Sequence, residues 1–140
     1  MEKGKWEMNK PHKNLNAWKK GMELAKEIYR LTKDFPADER FGLISQLRRA
    51  AVSIPANIAE GAARQSKKEF VKFLYIAKGS LSELDTFLEL SRDLGFIQEP
   101  SQSMNQLTED IDKLLSGLIR ANVNRPSISH FPSPISRATI

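Results

Sequence analysis

Apolar residues recur at steps of three and four along four stretches of the chain, and each stretch is bounded by proline, glycine or serine. The first runs from Asn14 to Lys33. Leu15, Trp18, Met22, Ala25, Ile28, Tyr29 and Thr32 share one face, and Lys19, Lys20, Glu23, Lys26, Glu27 and Arg30 fill the other. That period predicts an amphipathic helix. Asp34-Phe35-Pro36 closes it, because a residue before proline avoids the α region. The second stretch runs from Ala37–Asp38 to Arg64, with Leu43, Leu47, Ala50, Ala51, Ile54, Ile58 and Ala62 as its apolar line. Pro55 falls inside it, where the ring removes one backbone donor and crowds the carbonyl of Ala51. The period resumes beyond it, so the sequence predicts one helix kinked at Pro55, with a break into two helices as the alternative.

Ser66-Lys67-Lys68-Glu69 has the form of a capping box. It opens a third helix, Lys67 to Leu94, on which Phe70, Phe73, Leu74, Ala77, Leu81, Leu84, Leu88 and Ser91 align. Gly95 is its stop signal, with Phe96 or Ile97 as the apolar contact that accompanies such stops. Pro100-Ser101 starts the fourth stretch, where Met104, Leu107, Ile111, Leu114, Leu115, Leu118 and Ile119 line one side until the pattern fades at Asn122–Asn124. Four amphipathic helices joined by short connections pack as antiparallel neighbours. The expected fold is all-α, an up-and-down antiparallel four-helix bundle over residues 14–123. Residues 1–13 read as a loose basic arm, and the Ser- and Pro-rich residues 124–140 as a disordered tail.

The second helix carries a polar line beside its apolar one: Arg49, Ser53, Asn57, Glu60 and Arg64, spaced so that all share a face. Small residues surround it, and the third helix offers Ala77, Gly79, Ser80, Ser82 and Glu83. Small residues let helices approach, and polar groups caught between them must pair. The expectation is a polar seam or interface of Arg49, Ser53, Asn57, Glu60, Arg64, Ser80 and Glu83. It would face the third helix or a neighbouring subunit, with Glu83 or Glu60 pairing a buried Arg49.

The run from Gln46 to Gly61, QLRRAAVSIPANIAEG, resembles the signature of the bacterial four-helix bundle proteins encoded in intervening sequences of 23S ribosomal RNA genes. Trp18, Leu24, Leu31-Thr32, Phe35-Pro36, Glu69-Phe70, Gly79-Ser80-Leu81 and Glu83-Leu84 extend the resemblance over Leu15 to Ile97. The chain is also similar to the accessory variability determinant proteins of diversity-generating retroelements. The resemblance implies a homo-oligomer, commonly a ring of five, without enzymatic activity. Through the retroelement proteins it also implies RNA, or a nucleoprotein such as a reverse transcriptase, as partner.

Composition narrows the chemistry. At 140 residues the chain has the length of one domain. It has no cysteine, which excludes disulfides, thiolate metal sites and thiol nucleophiles, and which suits a reducing cytoplasm. No apolar run approaches the ~20 residues of a membrane span, and the first ten residues lack the apolar segment of a secretory signal. His12 and His130 have no ligand-spaced partners, and no nucleotide-binding glycine pattern, nucleophile elbow or Glu-x-x-His pair occurs. The sequence predicts no catalytic residues, no metal site and no cofactor.

Charge points elsewhere. Residues 1–70 hold 15 Lys/Arg against 9 Asp/Glu, and residues 71–140 hold 7 against 8. A basic half attracts polyanions. Lys19, Lys20, Arg48, Arg64, Lys67, Lys68 and Lys72 are the candidate nucleic-acid contacts, and Trp6 in the arm is a stacking candidate. The expected function is a non-enzymatic, oligomeric, RNA- or nucleoprotein-associated binding module. A protein-interaction scaffold without nucleic-acid binding is the alternative.

Overall fold

A computed structural model describes residues 10–123. Four α-helices make the bundle: α1 (Asn16–Thr32), α2 (Leu43–Ala62), α3 (Lys67–Asp93) and α4 (Gln102–Asn122). Each packs on its chain neighbour, α1 closes the ring against α4, and the diagonal pairs do not meet. The arm and tail lie outside the described residues except for Lys10–Lys13. There the reading of a loose arm is corrected: Pro11–Asn14 form a 3-10 turn packed against α1 and α2.

The ends of the helices follow local chemistry. Ser66 Oγ accepts the Glu69 N–H at 3.1 Å, and Ser101 Oγ accepts the Met104 N–H at 3.0 Å, each satisfying an orphan donor of the first turn. After α3, Gly95 takes φ +83°. Its N–H reaches the Arg92 carbonyl at 3.0 Å, and the Phe96 N–H reaches that of Ser91 at 2.9 Å, a Schellman stop. Phe96 then packs its ring on Phe35, centroids 5.5 Å apart. The expected start of the second helix at Ala37–Asp38 is corrected. Ala37–Glu39 form only a 3-10 turn, and the Glu39 carboxylate accepts the Leu43 N–H at 3.1 Å, capping α2 from there. The helix is continuous through Pro55, so the two-helix alternative is set aside.

The core is built of Leu24, Ile28, Leu47, Ile54, Ile58, Leu74, Leu84, Ile111 and Leu115, all fully buried. Removing such side chains from water contributes ~1.5–3 kcal/mol each. In α1 the inward line differs from the expected one. Ala17, Gly21, Leu24, Ile28 and Thr32 face the core, while Met22 and Tyr29 are exposed. The cause is close approach of α1 to α2. A Cβ on Gly21 would stand 3.4 Å from both Ile54 and Pro55, so the smallest residues take the tightest positions and rotate the larger ones outward. No described helix is long and apolar enough to cross a membrane.

Candidate nucleic-acid interface

The antiparallel order decides which charges meet. The start of α1, the end of α2, the start of α3 and the end of α4 share one end of the bundle. Lys10, Lys13, Lys19, Arg64, Lys67, Lys68, Lys72 and Arg120 gather there against Glu60 and Glu69. The opposite end carries Asp38, Glu39, Glu89, Asp93 and Glu99 beside Lys33, Arg40 and Arg92. One end of the molecule is basic, and the other is balanced to acidic.

At the basic end Lys67 and Lys68 are exposed, and no carboxylate of the described residues lies within ion-pair distance of either. Lys19 is exposed likewise. Arg64 bridges Glu60 at 3.7 Å, and its guanidinium sits 5.0 Å from the centre of the Phe73 ring, with Lys72 Nζ at 5.7 Å from the same ring. Phe73 orients two cations of the cluster, an effect worth ~0.5–1 kcal/mol at an exposed site.

Two of the expected contacts belong to other work. Lys20 pairs with Asp110 at 3.4 Å and ties α1 to α4. A hydrogen bond from Gln106, then the neighbouring Lys20, holds the Asp110 carboxyl below the usual aspartate range. Arg48 lies in the first half of α2, away from the lysines. Its Nε donates to Thr32 Oγ1 at 2.9 Å, and its guanidinium covers the Tyr29 ring at 4.4 Å. It fastens α1 to α2.

The expected polar seam is narrower than the sequence suggests. Ser53 Oγ and Ser80 Oγ lie 2.7 Å apart between α2 and α3, and Asn57 Nδ2 donates to the Ser53 carbonyl at 2.8 Å and to its Oγ at 2.9 Å. These three form a closed network, and no buried side-chain polar atom of the described residues lacks a partner. The charged members stand outside it. Glu60, Arg64 and Glu83 are exposed, and Arg49 is not buried against the third helix: within the subunit it too is exposed, donating to Gln46 Oε1 at 3.3 Å. A stem as long as that of arginine reaches solvent from a helix edge and keeps its charge hydrated. Arg49 and Glu83 instead flank a shallow groove of about 260 Å³ above the seam.

Sequence reasoning missed the second inter-helix tie, Lys78, whose Nζ donates to Ser116 Oγ at 2.7 Å and pairs with Asp112 at 3.2 Å across α3 and α4. It also missed the placement of His12, edge-on to Trp18 with centroids 5.0 Å apart. Burial, then Lys13 and Lys10, pushes the His12 imidazole below its ordinary value. The folded chain therefore takes this proton less readily than the unfolded chain, and stability is lost as the pH falls through the ordinary histidine range. Protonated imidazole quenches indole, so in a Trp6→Phe background Trp18 fluorescence should titrate with a midpoint below the ~6.5 of a free imidazole. An oligonucleotide bound at the basic end should raise that midpoint by screening the lysines. A midpoint at or above 6.5 without ligand would contradict this electrostatic picture. His130 and Trp6 lie outside the described residues.

Among the described residues no group of three or more His, Asp or Glu is placed to hold a metal ion. The family model for the 23S rRNA-intervening sequence protein matches residues 13–117. A crystal structure of a protein of unknown function from the S23 ribosomal protein family, from Bacteroides thetaiotaomicron VPI-5482, superposes with a TM-score of 0.65. It is 30% identical, and the match covers 74% of this chain and 98% of that one. Among curated proteins no match is found.

Proposed function

The chain belongs to the family of 23S rRNA-intervening sequence proteins, and we propose that it is a non-enzymatic, cytoplasmic binding module that presents its basic end to the phosphate backbone of RNA. The observation that carries this reading is the cluster of Lys67, Lys68 and Lys72 with Arg64, in which all three lysines are exposed and none has an acidic partner among the described residues. Lysines contact phosphate as point charges and read no base, so the module binds many sequences with similar affinity. Counterion release makes that binding salt-dependent. Fluorescence anisotropy of a labelled RNA should therefore show affinity falling linearly with the logarithm of salt between about 50 and 200 mM. Absence of binding at the low-salt end would sink the reading.

The module acts as a homo-oligomer, a ring of five by family resemblance, and we place its contact on the outer face of α3. Tyr75 is 58% exposed and Ile76 42%, both apolar and one turn from Gly79. A Cβ on Gly79 would meet nothing within 4 Å, so nothing inside the subunit calls for glycine there. A mid-helix glycine costs ~0.5–1 kcal/mol relative to alanine, a cost that close approach of a second copy would offset. Ile76→Glu should yield a folded monomer by light scattering coupled to size exclusion. An oligomer unchanged by that substitution would move the contact elsewhere.

A further inference from the structure

The turn between α1 and α2 holds a second feature that the basic end does not explain. Phe41 is 89% exposed, and Tyr29 across the groove is 43% exposed. Between them lies an open groove of about 620 Å³, lined in addition by Arg40, Arg48, Arg49 and Val52, and by no carboxylate. No acidic residue of the described chain lies within ion-pair distance of these three arginines. The contrast is the neighbouring groove along α1 and α4, where Lys20, Lys26 and Arg30 face Glu23, Glu27 and Asp110. There the charges cancel; at Phe41 they do not.

We propose that this groove binds single-stranded nucleic acid, with a base stacked on Phe41 and the flanking phosphates held by Arg40 and Arg49. The inference rests on the RNA-binding reading above and adds a base-stacking site to it. Three observations support it. The groove already holds one planar π-system on a ring, since the Arg48 guanidinium lies 4.4 Å over Tyr29 and is fixed there by Thr32. A nucleobase has the same flat geometry, and aromatic stacking accepts any base. The unneutralised guanidiniums match phosphate through paired N–H donors. Duplex bases are already stacked on one another, so the groove selects unpaired strands.

The test compares a single-stranded RNA of about 16 nucleotides with a duplex of the same sequence, by anisotropy on the full chain. Phe41→Ala should weaken single-strand binding roughly five- to a hundredfold and leave duplex binding unchanged. Phe41→Trp should restore it. Because Phe41 is almost wholly exposed, circular dichroism should find both variants folded. If the wild-type protein binds both ligands and Phe41→Ala changes neither, the stacking site is wrong while the RNA-binding reading stands. If Phe41→Ala instead dissociates the oligomer and leaves single-strand affinity intact, the groove is a contact between copies and the proposal falls. A wild-type protein that binds neither ligand overturns the broader reading and the inference with it.

Discussion

Gly61→Val is expected to cost about 3 kcal/mol, the upper end for overpacking a tight contact. A Cβ at Gly61 would stand 2.7 Å from the Cβ of Phe73, 3.0 Å from Phe70 Cδ1 and 3.2 Å from the Phe70 carbonyl oxygen. The Phe70 ring can turn aside. The carbonyl and the Phe73 Cβ are fixed to the backbone of α3, so α2 and α3 must separate at this point. That separation loosens Ile58 and Leu74, both fully buried nearby. Gly79→Ala is the internal control. Within the subunit it faces open space, so in the monomeric Ile76→Glu background it should stabilise by about 0.5–1 kcal/mol through better helix propensity. Urea denaturation of both variants checks the pair. Opposite signs of this kind separate steric need from propensity, and a neutral Gly61→Val would show that the helices do not meet as described.

Reversing Lys67, Lys68 and Lys72 to glutamate is expected to lower RNA affinity about 10²-fold or more, taking ~1 kcal/mol for each surface cation opposite a polyanion. The salt dependence should flatten as well, by about one phosphate contact per lysine. Lys67 and Lys68 make no ion pair in the described chain, so reversing them breaks no internal bridge, while Lys72 lies 5.7 Å from the Phe73 ring. Near-identical weakening across unrelated RNA sequences would accord with phosphate contact; loss confined to one sequence would point to base readout instead. Unchanged affinity would leave the protein-interaction reading as the better account.

The helices were legible because their period, caps and stops are local. Ser66, Ser101 and Gly95 act where the sequence puts them. Three features were not legible, each for a physical reason. The rotation of α1 depends on Gly21 against Pro55, and a glycine scores as nothing in a hydrophobic pattern. The delayed start of α2 depends on the Glu39 side chain capping a turn later. The exposure of Arg49 depends on side-chain reach, which spacing does not encode. Ser53, Asn57 and Ser80 were recoverable because short polar side chains between small neighbours have nowhere else to bond. The lysine cluster could be named residue by residue, but its gathering at one end required the antiparallel order. Phe41 was passed over because a single aromatic in a turn carries no pattern.

The closed order in which each helix meets its chain neighbour has a kinetic consequence. Three of the four seams join elements separated by a short connection, and only the α1–α4 seam spans the chain. Low average sequence separation between contacting residues favours rapid folding, in the microsecond to millisecond range of helical bundles. The α2–α3 hairpin should form early, with Leu84 and Ile58 already in place at the barrier, and α1 and α4 should join across it afterwards. Weakening Lys20–Asp110 should then leave the refolding rate in stopped flow almost untouched and quicken unfolding. The last seam to close would also be the first to open, so brief exposure of the core to solvent would begin between the first and last helices.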